Sequence, residues 1–318
     1  MKPYQAPPWL PGGHAQTIWP KLVKQAPLRL RRERLDTPDG DFIDIDWVDG
    51  PPQAPLLVLF HGLEGSSRSH YALSTAHACK KTGWRLALPH FRGCSGELNR
   101  RPRAYHSGDS EEIDWILRHL CRSNGGRPLH AAGVSLGGNA LLKWAGEHGT
   151  AAGEVVTGVA AICAPLDLAA CGHHLAHGFN RVYTQYFLKT LKAVSTARLR
   201  RFPGLFDEAR MLAAVNLYQF DDAVTAPVHG FAGADDYWRR ASAKPWLKSI
   251  AVPAVAVNPK NDPFLPAACL PGATDVSRQV RLEQPAGGGH VGFVSGAFPG
   301  NLDWLPQRLL HFFLYETS

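Results

Sequence analysis

The sequence predicts an α/β fold in which a mostly parallel central sheet is flanked by helices and interrupted by a helical insertion. Three observations carry this reading. Short, nearly continuous apolar runs recur at residues 56–60, 85–88, 129–134, 155–163 and 252–257, and such runs suit strands buried on both faces of a parallel sheet. Helix-like stretches alternate with them, as crossover connections require. The alternation stops at residue 166 and resumes near Ile250. The expected organisation is therefore a core of residues 1–165 and 250–318, entered by an arm over residues 1–28, with residues 166–249 inserted as a cap.

Taken in order, the arm is rich in Pro and reads as irregular. Residues 28–35 and 42–48 flank the turn Thr37-Pro38-Asp39-Gly40 as a hairpin. Within its second strand Ile43, Ile45 and Trp47 alternate with Asp44 and Asp46, which predicts one packed face and one wet face. After the strand at 85–88, Asp109 and Glu112 have cap spacing, and Ile113, Leu117 and Leu120 share one face of a helix over 109–122. A strand at 129–134 runs into a helix over 136–147. The sheet closes with residues 252–257 and 279–282, and a helix over 302–314 ends the chain.

Composition narrows the class. With 318 residues, 45% hydrophobic and 19% charged, the chain is neither disordered nor fibrous. The longest apolar run, residues 159–164, is far shorter than the roughly twenty needed to span a bilayer. Pro and Gly occupy the N-terminal stretch where a signal peptide has its apolar core, so a cytoplasmic location is expected. Six separated cysteines without a CxxC pair read as free thiols. The net charge of +7 comes from short basic clusters at 29–34, 100–103, 198–201 and 239–240, which read as a solvated surface. No nucleic-acid signature accompanies them. A basic stripe facing acidic lipid headgroups is the membrane reading this charge allows.

Chemistry concentrates in three loops. Gly133-Val134-Ser135-Leu136-Gly137 is a GxSxG pentapeptide between the strand at 129–134 and a helix, the context of a nucleophile elbow. Bulk is excluded two positions either side of the serine, and Gly133 and Gly137 meet that demand. A serine hydroxyl needs a base, and the base needs a group that holds its tautomer. Asp262 follows the strand at 252–257, where Pro263 keeps it out of helical geometry. His290 follows the last strand after Gly287-Gly288-Gly289. The order Ser, acid, His is that of an α/β-hydrolase sheet, and position favours Asp262 over Asp235, Asp236 and Asp275. Two donors must face the developing oxyanion. The backbone N–H of Leu136 is one, and the N–H of Leu63, in His61-Gly62-Leu63-Glu64-Gly65, is the other; His61 is expected to orient that loop.

Other clusters point nowhere. His173, His174 and His177 lack an HExxH pattern or a nearby carboxylate, so no metal is expected. No Walker sequence exists, and no Gly-rich loop stands between a strand and a helix in the dinucleotide-binding pattern, so no nucleotide cofactor is expected either.

Together with His14-Ala15-Gln16-Thr17, residues 61–66, Phe91-Arg92-Gly93-Cys94-Ser95-Gly96, Tyr105-His106-Ser107-Gly108, residues 133–139, Asn261-Asp262-Pro263-Phe264 and Gly289-His290, these motifs make the chain resemble the YheT-like branch of the α/β-hydrolases. That branch is related to eukaryotic abhydrolase-domain lipases and yeast ethyl ester synthases. The resemblance implies an α/β-hydrolase fold and esterase activity, with Ser135, Asp262 and His290 in the family's triad positions. The HxxxxD acyltransferase motif of some eukaryotic relatives is missing here.

The expected function is a serine carboxylester hydrolase without a cofactor, acting on a small ester of short to medium acyl length. Acyl transfer to an alcohol through the same triad, or a non-catalytic binding module on the same fold, are the alternatives. The insertion leaves and rejoins the sheet on the edge where the triad emerges, so it is expected to cover Ser135. Its predicted underside is apolar, with Arg181, Lys189, Lys192 and residues 198–201 on solvent faces.

Overall fold

The computed structural model describes residues 1–317. Eight strands form one sheet in the order β1-β2-β4-β3-β5-β6-β7-β8: β1 (Arg31–Asp36), β2 (Phe42–Val48), β3 (Leu56–Phe60), β4 (Arg85–Pro89), β5 (Leu129–Val134), β6 (Gly158–Ile162), β7 (Ala254–Val257) and β8 (Val280–Glu283). Strands β3 to β8 pair in parallel, whereas β2 is antiparallel to both β1 and β4. Parallel neighbours need crossovers. Helices α2 (His70–Thr82), α3 (Ser110–Ser123) and α4 (Leu136–His148) supply the first three, and α11 (Trp304–Tyr315) follows β8.

Every residue of β3, β5, β6 and β7 is buried. The cause is a helical layer on each face. Leu56, Val58 and Phe60 pack with Ile113 and Leu117 of α3 and Leu141 and Trp144 of α4. Leu57 and Leu59 face the opposite layer, with Ala72 and Ala76 of α2 and Leu309 and Phe312 of α11. Because the order reverses at β3, whose neighbours are β4 and β5, the loops leaving β3 and β5 part there and open a crevice at the carboxyl edge.

The hairpin departs from expectation in one respect. Asp44 and Asp46 do not face water; they are 2% and 5% exposed. The β1–β2 register sets Arg34 opposite Asp44 and Arg32 opposite Asp46, and each guanidinium grips its carboxylate through two hydrogen bonds of 2.7–2.9 Å. The alternation marks two faces correctly, but cross-strand ion pairs close the polar one. The arm is also less irregular than its Pro content suggests, for it holds a short helix, α1 (Gly13–Ile18).

Between β6 and β7, the described residues contain helices and no strand: α5 (Leu168–Leu175), α6 (Arg181–Arg201), α7 (Glu208–Ala213), α8 (Leu217–Phe220), a π-turn (Asp221–Thr225), α9 (Ala226–His229) and α10 (Ala234–Ala241). Leu188, Phe206, Met211, Phe220 and Val224 form a core of their own. Cys171, Leu175 and Tyr183 pack down onto Phe264, Leu265 and Cys269 in the segment after β7. Arg198, expected on a solvent face, is instead 7% exposed, because its side chain turns inward from α6. All six cysteines are unbridged. Among the described residues no helix is long and apolar enough to cross a membrane.

Candidate active site

Strand β5 ends at Val134 and α4 starts at Leu136, so Ser135 makes the whole turn, at φ 52° and ψ −120°. A positive φ is strained for serine. Surrounding hydrogen bonds hold it: the Ser135 N–H donates to the Ile162 carbonyl at 2.8 Å, and the Ser135 carbonyl accepts from the Asn139 N–H at 3.1 Å. The glycines are steric necessities. A Cβ on Gly137 would lie 2.5 Å from the His61 carbonyl oxygen and 2.8 Å from that of Phe60, and one on Gly133 would strike the Gly137 backbone.

The imidazole of His290 lies between the other two partners, with Nε2 3.0 Å from Ser135 Oγ and Nδ1 2.8 Å from Asp262 Oδ2. Asp262 is fully buried, and its other oxygen accepts from the Phe264 N–H at 2.8 Å. The Phe264 ring stacks on the imidazole at a centroid distance of 3.9 Å. With the carboxylate accepting, Nδ1 carries the proton and Nε2 is left free to accept from the serine.

Two residues that hold the histidine loop had drawn no role in the sequence. Thr17 Oγ1 accepts from the His290 N–H at 2.8 Å, and Gln16 Oε1 accepts from the Gly288 N–H at 2.7 Å and from Asn261 Nδ2 at 2.9 Å. The arm thus ties the loops after β7 and β8 together. The motif His14-Ala15-Gln16-Thr17 marked the place without giving a role, because its partners are more than 240 residues away in sequence. His14 Nδ1 contacts the Tyr183 hydroxyl at 3.0 Å, linking the arm to α6.

The loop after β3 is pinned by two tyrosines. The Gly62 N–H donates to Tyr71 Oη and the Glu64 N–H to Tyr105 Oη, both at 2.9 Å. Tyr105 also donates to Glu64 Oε1 at 2.7 Å, and its ring stacks on Phe91 at 5.2 Å. Glu64 is held at φ 53°. The Gly65 N–H closes a turn on the Gly62 carbonyl. The Leu63 N–H, like that of Leu136, has no acceptor among the described residues. His61 orients the loop as expected: Nε2 accepts from the Phe91 N–H, so Nδ1 carries the proton and donates to the Gly62 carbonyl. Burial pushes the His61 imidazole down to about 3, keeping it neutral.

Two cavities meet at Ser135 and His290. One extends beneath the β6–β7 helices and is lined by Leu63, Tyr105, Leu136, Phe187, Phe220 and Trp238 among others. The second opens beside the arm between Thr17, Lys21, Arg68, His70 and Tyr186.

The rival carboxylates lie elsewhere: Asp235 accepts from the Tyr218 hydroxyl, Asp236 pairs with Arg239 and Arg240, and Asp275 caps Gly272. A second Ser/Asp/His group is wired differently. Asp46 takes hydrogen bonds from both Ser67 and His90, so no imidazole reaches that hydroxyl. Cys163 shares the main site, and its Sγ accepts from the Val291 N–H at 3.2 Å. Burial and the nearby Asp262 push its thiol well up. A protonated thiol beside a carboxylate and imidazole already bonded to each other is a poor donor set for a metal.

The model of the alpha/beta hydrolase fold family matches residues 55–297, three quarters of the chain. At 41% identity, over 93% of this chain and 88% of the relative, it is also similar to "Putative esterase YheT" of Escherichia coli (strain K12). The chain belongs to the YheT-like α/β-hydrolases. Within this family's wider reach, "Phospholipase ABHD3" of Mus musculus is 29% identical over 96% of this chain and 76% of its own length. Among solved structures, the esterase EaEST of Exiguobacterium antarcticum superposes with a TM-score of 0.55 at 17% identity, covering 88% of this chain and 98% of that one. At that identity the likeness speaks for the α/β-hydrolase fold.

Proposed function

We propose that this α/β-hydrolase is a serine carboxylester hydrolase. The observation that carries the reading is the continuous chain Ser135 Oγ, His290, Asp262, with links of 3.0 and 2.8 Å, beside two unengaged backbone donors. Ser135 attacks the ester carbonyl as His290 Nε2 takes its proton. The N–H groups of Leu63 and Leu136 receive the oxyanion, and Asp262 stabilises the imidazolium. The imidazolium protonates the leaving alcohol. Water, deprotonated by the same Nε2, then attacks the acyl-enzyme and releases the acid. Residues 166–249 act as the cap: their apolar side chains shape the cavity that takes part of the ester and shield the acyl-enzyme from bulk water.

Labelling with a fluorophosphonate probe tests the assignment directly. The wild-type chain should be labelled and Ser135→Ala should not, with ester turnover reduced at least ~1,000-fold. Substantial hydrolysis by Ser135→Ala would refute it.

A further inference from the structure

The cavity beneath the cap contains one unexplained group. Arg198 comes from α6 and lines the same cavity as Ser135 and His290. It is 7% exposed, yet its guanidinium has no hydrogen bond or ion pair among the described residues; the carboxylates of Glu64 and Asp41 attract it only through space. The nearby acids make no direct contact with it. Glu64 Oε1 accepts from Tyr105, and Asp41 takes Arg92 and Asn99. The cavity's other carboxylate, Asp221, is satisfied by Thr225 Oγ1 and Trp238 Nε1. Most of the other side chains lining the cavity are apolar, among them Leu191, Val194, Phe220 and Val224. A buried guanidinium without a partner is costly, and its five donors in a planar fork match a carboxylate.

We propose that Arg198 binds an anionic group, a carboxylate, on the part of the ester that enters the cavity beneath the cap. This rests on the ester hydrolase reading and names its substrate class. A monoanion suits the site because Arg198 is the one Lys or Arg among the described residues that line the cavity. His106, which also lines it, is held neutral by burial, which pushes its imidazole down to about 3. A doubly charged phosphate would be left half-neutralised in an apolar enclosure.

Two matched substrate pairs test the proposal and separate the acyl from the alcohol side: mono(4-nitrophenyl) adipate against 4-nitrophenyl hexanoate, and 4-carboxyphenyl butyrate against phenyl butyrate. In at least one pair the wild-type enzyme should favour the anionic ester in kcat/KM by about tenfold, the scale of one charge-assisted hydrogen-bonded contact. Arg198→Gln should erase that ratio and Arg198→Lys should retain part of it. Comparing ratios within one variant cancels general damage to folding, and the wild-type ratio needs no variant at all. Equal or higher rates for the neutral ester in both pairs overturn the proposal, as does a ratio untouched by Arg198→Gln. Should the wild type hydrolyse the neutral esters through Ser135 without anion preference, only this inference fails. Absence of both hydrolysis and fluorophosphonate labelling overturns the ester hydrolase reading with it.

Discussion

Tyr105 governs, from outside it, the loop proposed to receive the oxyanion. Its hydroxyl accepts from the Glu64 N–H and donates to the Glu64 carboxylate, and so holds a residue with φ 53° that would otherwise relax toward the common backbone regions. With Glu64 fixed on one side and Gly62 on the other, the peptide of Leu63 has little freedom to rotate. Tyr105→Phe keeps the ring on Phe91 and removes only the hydroxyl. The expected result is a kcat reduced by about tenfold with KM nearly unchanged, since an oxyanion donor acts in the transition state and full loss of one costs about 100-fold or more. Steady-state kinetics decide the matter; a lowered melting temperature with unchanged kcat would give Tyr105 a structural role alone.

At the scale of elements, Arg92 explains the loop after β4. Its guanidinium joins Asp39 and Asp41, at the turn between β1 and β2, to Glu112 of α3 at 2.8, 2.9 and 2.5 Å. Burial would raise Asp39, but the Thr37 hydrogen bond and Arg92 outweigh it and lower the carboxyl to about 2. Burial and the neighbouring Asp109 push Glu112 up to about 7 despite Arg92. Arg92→Leu leaves the acids without their cation, which costs about 3–5 kcal/mol for a buried pair broken on one side. A shift of the urea midpoint measures this; Arg92→Leu with wild-type stability would show that the acids find other partners.

For the whole molecule, acid sensitivity follows from its buried histidines. Burial lowers His61, His106 and His229 to about 3 and His70 and His130 to about 4. Their unfolded forms titrate near 6.5, so below that pH the unfolded chain binds more protons than the folded one. The resulting stability is complete above pH ~6.5 and lost as pH falls toward ~4, at up to about 1.4 kcal/mol per histidine per pH unit. Glu112 and Asp221, raised by burial to about 7 and about 6, act oppositely, contributing stability below their unfolded values that is lost as pH rises. Five groups outweigh two. Denaturant midpoints should therefore fall between pH 6.5 and 4.5; a flat profile would mean that these histidines admit protons without unfolding. The same molecular scale sets chain-length preference. Each buried CH₂ adds up to about 0.8 kcal/mol until the cavity is full, so kcat/KM for 4-nitrophenyl esters should rise from acetyl to butyryl or hexanoyl and then decline. A level series would argue against the apolar enclosure.

The sheet, its parallel sense and the positions of Ser135, Asp262 and His290 were legible from local pattern. Strands buried on both faces need continuous apolar residues, and an elbow needs small residues two positions either side of its serine. Both requirements act on neighbours in sequence, so both leave a signature there. What the tertiary structure decided depends on partners far apart in the chain. Asp44 and Asp46 became buried because the hairpin register delivered Arg34 and Arg32 to them. Gln16 and Thr17 became supports of the His290 loop because the arm reaches the loops that follow β7 and β8. Arg198, in a basic run that reads as solvent-facing, lies inside because α6 lays its face over the cavity. A charged residue carries no local mark of whether it will meet solvent, a counter-ion or the wall of a cavity. Packing alone chooses among them.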